Sequence, residues 1–157
     1  MNTWVANEGG ATASDVCSGV TWSYTITSTT PGCSANSGSW TYEFTEKDDC
    51  ANASLTSATF AIEDHTRPTI TVASNKTVEC NGSGNTTELN TWLANHGGAT
   101  ASDVCSGVTW SYTITSTTPG CSANTGSWTY EFTAKDDCGN ASVTSAKLPI
   151  KDQNRQT

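Results

Sequence analysis

The sequence predicts an all-β chain made of two tandem β-sandwich domains, each with one short helix. Three observations support this prediction: aromatic residues at every second position of a segment, a duplication of most of the chain, and regularly spaced cysteines. Trp128, Tyr130 and Phe132 alternate with polar residues, so their rings share one face of an extended strand. We predict that this segment is the central core strand of its domain.

The duplication sets the domain boundaries. Residues 2–64 realign on residues 90–152 without a gap, at an offset of 88 positions, and differ at about ten positions. Such self-similarity is the mark of a tandem array. We therefore predict two domains, residues 1–64 and 65–157, of which the first lacks the opening strand of the second.

The elements of the complete domain follow from its apolar periodicity. Five strands are predicted, at residues 68–72, 77–80, 108–116, 127–134 and 141–150. Between the second and third strands, one helical face is formed by Leu89, Trp92 and Leu93, at i, i+3 and i+4. Thr86 or Thr87 is expected to cap this helix, and Gly97-Gly98 to end it.

Composition argues against several functions. With 7 Lys and Arg against 15 Asp and Glu, the chain carries a net charge of −8 and repels a phosphate backbone, so we expect no nucleic acid partner. No apolar run approaches the length that spans a bilayer, so we expect no membrane insertion. His65 and His96 are not repeated between the copies, and no base and nucleophile form a recognisable group. We predict a protein that is not an enzyme.

The cysteines predict disulfides. There are seven, regularly spaced and without the close pairs that bind zinc, which indicates an oxidising, extracellular compartment. A complete unit has four cysteines, for which sequence leaves three pairings open. The favoured pairs are Cys105–Cys138, Cys80–Cys121 and Cys17–Cys50, and this scheme does not assign Cys33. An alternative pairs Cys33 with Cys80 and does not assign Cys121.

Acidic residues at two corners of each domain form a candidate calcium site. The second-domain set is Asp103, Asp136, Asp137 and Asn140, and the first-domain set is Asp15, Asp48, Asp49 and Asn52. Clustered oxygen ligands suit Ca²⁺, which takes six to eight of them. The favoured interpretation is that these residues form Asx turns and strand-end caps that need no metal.

A stripe of aromatic residues also has two interpretations. Its members are Trp110, Tyr112, Trp128, Tyr130 and Phe132. Aromatic faces can line a sugar-binding groove, but on the apolar side of alternating strands they are far more often core. We predict that the stripe belongs to the core.

Several motifs resemble those of a known family. They are Asp-x-Cys followed by Val-Thr-Trp, Asp-Asp-Cys-Gly-Asn-Ala-Ser at 136–142, and Trp-Leu-Ala-Asn-x-Gly-Gly-Ala-Thr-Ala at 92–101. With them the chain resembles the hyalin-type, immunoglobulin-like tandem repeats of large secreted surface adhesins of Bacteroidetes, including gliding-motility adhesins. The resemblance implies an immunoglobulin-like fold, extracellular display at the cell surface, and a role in adhesion or spacing without catalytic residues. Ala51 departs from the pattern, which has glycine there, as at Gly139.

These observations favour a non-catalytic structural repeat: a stiff extracellular spacer of a cell-surface adhesin or filament, whose partners are neighbouring repeats. The linker at 63–67 contains no Gly or Ser run, which favours restricted stacking of the domains. One alternative is an adhesion module that binds surface glycans directly. Another is a self-assembling filament subunit, in which the open sheet edge of the first domain accepts a neighbour's strand.

Overall fold

The computed structural model describes residues 1–153 and separates into two compact units, Met1–Asp64 (unit 1) and His65–Thr157 (unit 2). The end of the second predicted domain, residues 154–157, lies outside the described residues. Unit 1 contains α1 (Asn2–Ala6), β1 (Val20–Pro31), β2 (Gly38–Asp48) and β3 (Ala53–Ile62). Its strands form one antiparallel sheet in the order β1-β2-β3, against which α1 packs through Trp4.

Unit 2 repeats this arrangement and adds strands before its helix. Its elements are β4 (Thr69–Ile70), β5 (Val78–Glu79), α2 (Thr86–Ala94), β6 (Ala101–Ser102), β7 (Val108–Pro119), β8 (Gly126–Asp136) and β9 (Ala141–Lys151). The larger sheet has the order β5-β9-β8-β7, with β5 parallel to β9 and the other pairs antiparallel. A second sheet consists of β4 and β6.

The central strand of unit 2 is β8, as the aromatic alternation predicts. Tyr130 and Phe132 are 4% and 0% exposed, and Trp110 and Trp128 pack against the same core cluster. The ring of Trp92, from α2, lies edge-on at 5.6 Å from Tyr130 and 5.4 Å from Phe132. The core interpretation of the stripe is thus confirmed except at Tyr112, which is half-exposed.

The two units pair their long strands in the same register. Tyr24 lies opposite Phe44 in unit 1, and Tyr112 lies opposite Phe132 in unit 2. A β-bulge follows Ile26 in unit 1 and Ile114 in unit 2. The near-identical sequences therefore specify the same hairpin twice.

The start of α2 differs from the prediction. The residue before the helix is Asn85, in the left-handed conformation with φ 53°, and neither Thr86 nor Thr87 caps the helix because both lie inside it. Asparagine tolerates this conformation better than threonine does. The buried Asn85 side chain donates to Glu79 O at 2.8 Å and accepts from Asn81 N at 3.2 Å. The α-helix ends at Ala94, before the predicted Gly97-Gly98, and these two glycines, with φ 65° and 84°, lie in the 3-10 turn His96–Gly98 that follows.

The first two strands of unit 2 are shorter than the pattern predicts. After Thr71, whose N donates to Thr100 O at 2.8 Å, side chains supply part of the hydrogen bonding of this segment. Ala73 N donates to Thr144 Oγ1 at 3.0 Å, and Lys147 N donates to Asn75 Oδ1 at 2.7 Å. Lys76 N donates to Lys147 O of β9 at 3.0 Å, and paired strand residues follow where Val78 lies opposite Ile150.

The fold class is confirmed. Strands make up most of the regular structure, and each unit carries one short α-helix. The two sheets of unit 2 have a sandwich-like arrangement, with Leu148 and Phe132 fully buried in the core. In unit 1 the described elements form a single sheet with its helix.

Candidate functional site

The first predicted corner of unit 2 is a turn held by Asp103. Its Oδ1 accepts from Cys105 N at 2.8 Å and from Ser106 N at 3.1 Å, the pattern of an Asx turn. Its other oxygen, Oδ2, is buried and accepts no hydrogen bond within the described part of the chain. The Asp103 carboxylate is thus the hydrogen-bond acceptor for two main-chain N–H groups of the turn between β6 and β7.

The second corner, after β8, is a turn held by Asp136. Its Oδ1 accepts from Asn140 N at 2.8 Å, and its Oδ2 accepts from Asn140 Nδ2 at 2.8 Å. Burial acts to raise the pKa of Asp136, but the hydrogen bonds from Asn140 and from the N–H groups of Cys138 and Gly139 outweigh it and lower the pKa. The ionised carboxylate is therefore the form that holds the turn.

Unit 1 contains the same two turns. Asp15 Oδ1 accepts from Cys17 N at 2.7 Å and from Ser18 N at 2.9 Å. These hydrogen bonds, that from Cys17 first, hold the pKa of Asp15 below its usual value. Asp48 accepts from Asn52 N and Asn52 Nδ2, at 2.8 and 2.7 Å. The turn interpretation accounts for both first-domain corners.

In each unit a serine hydroxyl connects the two corners. Asp137 N donates to Ser106 Oγ at 3.2 Å, and Asp49 N donates to Ser18 Oγ at 3.4 Å. The predicted site residues are thus brought to one end of the sheet. Most of the carboxylate oxygens that anchor the corners accept N–H groups of their own turns, and the buried Asp103 Oδ2 is an exception among the described residues. Calcium binding at these corners stays a prediction.

The cysteines differ from the predicted scheme. The five that keep their thiols are Cys17, Cys50, Cys80, Cys105 and Cys121, so the three favoured bridges and the alternative Cys33–Cys80 bridge are not formed. Cys138 is disulfide-bonded, and this excludes it as a partner of Cys105. Cys33, which the favoured scheme does not assign, is disulfide-bonded as well.

Hydrogen bonds connect the loops that the predicted bridges would have joined. The corner loops are joined through Ser18 in unit 1 and Ser106 in unit 2. Cys80 Sγ donates to Asn124 O at 3.6 Å, and Asn124 Nδ2 donates to Gly82 O at 2.8 Å. The loop that carries Cys80 therefore lies against the turn that follows Cys121, without a bond between the two sulfurs.

One of the two histidines has a packing role. The ring of His96 stacks on that of Trp110, with centroids 4.3 Å apart and planes 8° from parallel. His96 follows α2 with φ 52°, and the corresponding residue of unit 1 is Glu8, with φ 49°. No residue of the described chain is assigned a catalytic role, and the absence of enzyme activity stays a prediction.

The residues that sequence reasoning missed line an open groove on unit 1. This unit 1 groove has a volume of about 400 Å³ and is lined by Gly10–Ala13, Trp22, Glu46 and Ser54–Thr56. The sequence identifies an open edge in the first domain but not these side chains.

Comparison with known proteins gives limited similarity. No family model matches the chain, and no curated protein matches it. Among solved structures, it is similar to a protocadherin gammaB7 EC3-6 cis-dimer, with 13% sequence identity and a TM-score of 0.34. The similarity covers 85% of this chain and 42% of that one, so this chain spans less than half of the protocadherin chain. A TM-score this low supports no conclusion about function.

Among residues 1–153, none of the helices has both the length and the apolar character that crossing a bilayer requires.

Proposed function

We propose that the chain is a non-catalytic structural repeat of an extracellular surface protein, an adhesin or filament, in which it acts as a spacer between other parts. The observation that carries the proposal is the duplication: two stretches that differ at about ten positions form the same three-stranded hairpin arrangement, with the bulge at the same place. A spacer needs one building block many times, and tandem arrays supply it.

Two further observations support an extracellular location. The chain contains disulfide-bonded cysteines, which persist in oxidising compartments. Its motifs resemble those of hyalin-type repeats of large Bacteroidetes surface adhesins, which are displayed outside the cell. In this proposal the main partners are neighbouring repeats of the same protein.

Scattering from arrays of increasing length tests the spacer role. We would compare the chain with head-to-tail fusions of two and three copies by small-angle X-ray scattering. A stiff spacer predicts a maximum dimension that rises in proportion to copy number, because the linker at 63–67 contains no flexible Gly or Ser run. A much weaker rise, typical of a flexible chain, would contradict it.

A glycan array provides the second measurement. The spacer proposal predicts no saturable binding to any glycan, whereas a direct adhesion module predicts binding to a defined class. Saturable binding that is lost when Tyr112, the half-exposed member of the aromatic stripe, is changed to Ala would replace the spacer role with an adhesive one.

A further inference from the structure

One edge of the larger sheet of unit 2 has no strand beside it within the described part of the chain. The sheet has the order β5-β9-β8-β7, so β7 pairs with β8 on one side only. All residues of β7 except Val108 and Trp110 are exposed. An edge strand directs main-chain N–H and C=O groups away from its sheet, where they can pair with another chain.

The part of β7 before its β-bulge lacks the features that usually protect such an edge. Residues 108–114, which we call the edge segment, contain no charged residue, no Pro and no Gly. Charged side chains, prolines and very short strands are common means of preventing pairing at an edge. The opposite edge of the same sheet is protected in this way, since β5 has only two residues, one of which is Glu79. Of these two edges, β7 is therefore the one open to a partner.

Large apolar side chains of the edge segment stay half-exposed although α2 packs on the same sheet. Tyr112 and Ile114 are 50% and 55% exposed. Because alternate residues of a strand share a face, both lie on the side of Trp110, whose ring stacks on His96. The fold of unit 2 thus covers this face only in part, and a strand placed beside β7 would cover more of it.

The chemistry of the edge segment reads the same in both directions. From residue 108 to residue 114 the order is aliphatic, Thr, aromatic, Ser, aromatic, Thr, aliphatic. An antiparallel neighbour of the same sequence, centred on Ser111, therefore places like beside like. The resulting pairs are Val108 with Ile114, Thr109 with Thr113, Trp110 with Tyr112, and Ser111 with Ser111. Aromatic pairs and Thr or Ser pairs directly opposite each other stabilise antiparallel strands, so the edge segment is complementary to a second copy of itself.

The charges of β8 agree with this register. On the polar face, Thr109 lies beside Lys135 and Thr113 lies beside Glu131. With Thr109 of one copy opposite Thr113 of the other, Lys135 and the second copy's Glu131 stand at the two ends of one cross-strand row. These opposite charges attract weakly across the join, whereas the net charge of −8 makes two copies repel each other elsewhere. The uncharged edge is thus where two copies approach at the lowest electrostatic cost.

We propose that the edge segment of β7 is a homotypic interaction surface, through which two copies of the chain join antiparallel about a two-fold axis and merge their sheets. Each copy contributes the same residues, so the contact is self-complementary and closed. In unit 1, β1 carries the identical segment at residues 20–26, in the same register against β2, so each chain presents the edge twice. The inference goes beyond the spacer role, since it adds lateral association of neighbouring molecules.

Sedimentation equilibrium at increasing protein concentration tests the proposal on the 157-residue chain. The chain and all its variants are first alkylated with iodoacetamide, so that their five thiols cannot crosslink copies. We expect the weight-average mass to rise above that of the monomer between about 10 µM and 1 mM, because a short edge contact belongs to the weak class of interfaces.

A charge at the centre of the pairing gives the most specific variant. Ser23→Lys combined with Ser111→Lys places two ammonium groups directly opposite each other at the two-fold axis, and should weaken association about tenfold. Both serines are exposed, so folding should be unaffected. The matched control is Ser28→Lys combined with Ser116→Lys, the same substitution at exposed positions of the same strands beyond the bulge, and it should associate like the wild type.

Mixing complementary variants gives a readout that a folding defect would not produce. Ser23→Glu combined with Ser111→Glu should weaken association as the lysine variant does. An equimolar mixture of the glutamate and lysine variants should associate at least as strongly as the wild type, because an ammonium group then lies opposite a carboxylate at the centre of each mixed pair.

Any of three results would overturn the proposal. One is a mass that stays at the monomer value over the whole concentration range. Another is association that the lysine variant leaves unchanged, or that the matched control weakens equally. The third is a mixture of the two charge variants that associates no better than either alone. None of these results bears on the spacer role, which the maximum dimension of the fused copies measures separately.

Discussion

Asp136 and Asp137 are adjacent carboxylates with different roles. Asp136 is buried and accepts hydrogen bonds through both oxygens, whereas Asp137 is exposed. The hydrogen bonds lower the pKa of Asp136 in the folded state despite its burial. A lowered folded pKa contributes stability that is present above the unfolded value of about 3.9 and is lost as the pH falls through the folded pKa.

We predict that Asp136→Asn lowers the Tm by several degrees at pH 7, because the uncharged side chain loses charge-assisted hydrogen bonds to its turn. The difference from the wild type should shrink as the pH falls below about 4, since the wild-type carboxylate is then protonated as well. Thermal unfolding followed by circular dichroism between pH 2 and pH 8 measures both effects. Asp137→Asn is the control, and a loss as large as that of Asp136→Asn would contradict the assignment.

The same turn chemistry predicts the effect of chelation. If the carboxylates at the corners serve their turns, adding EDTA or excess Ca²⁺ should leave the Tm unchanged within the error of the measurement. Asp103→Asn should then lower the Tm equally in both solutions, because it weakens the turn to Cys105 and not an ion site. A rise in Tm with Ca²⁺ that Asp103→Asn abolishes would establish the calcium site.

At the scale of elements, β9 and β3 form a matched pair that differs in its partners. The end of β9 pairs with β5, whereas β3 has β2 as its one strand partner within the described part of unit 1. We predict that Ile150→Ala destabilises unit 2 by roughly 2–4 kcal/mol, the usual cost of a fully buried isoleucine.

The matched Ile62→Ala should cost unit 1 roughly 1 kcal/mol, since that side chain already contacts solvent. Chemical denaturation of both variants, followed by tryptophan fluorescence, gives the comparison. Equal losses would show that β5 does not contribute to the burial of Ile150.

The elements that the sequence predicted are those with strong local patterns. The alternation of Trp128, Tyr130 and Phe132 identifies β8 and its buried face, because apolar residues at every second position are typical of a half-buried β-strand. The lengths of β4 and β5 were overestimated. Between them, the side chains of Thr144 and Asn75 bind main-chain N–H groups that lie about 70 positions away in sequence. A single sequence shows no such long-range contacts.

In the candidate site, too, local features could be predicted from the sequence and long-range contacts could not. Asx turns depend on neighbours in sequence, so the corners at Asp48 and Asp136 were predicted together with their chemistry. The disulfide scheme was wrong because pairing depends on the approach of distant loops, which cysteine spacing does not determine. The unit 1 groove could not be predicted, because its lining residues come from separate stretches of the chain that only the fold brings together.

At the scale of the whole molecule, the duplication allows the burial of nearly identical sequences to be compared between unit 1 and unit 2. Among the residues that the structure describes, the buried hydrophobic side chains of unit 1 are Tyr42 and Phe44. Unit 2 buries their counterparts together with residues of its helix and of β9, among them Trp92 and Leu148. Because stability grows with buried apolar area, nearly the same sequence should give units of different stability.

We predict that unit 1 opens more readily than unit 2 in native-state hydrogen exchange. Peptides covering residues 40–48 and 128–136 differ only at Glu46 and Ala134, so mass spectrometry distinguishes them although their intrinsic exchange rates are nearly equal. The peptide from unit 1 should exchange at least about tenfold faster, which corresponds to about 1.4 kcal/mol in opening free energy. Equal rates would mean that burial by the segment before α2 adds no stability, because that segment is the main difference between two otherwise matched hairpins.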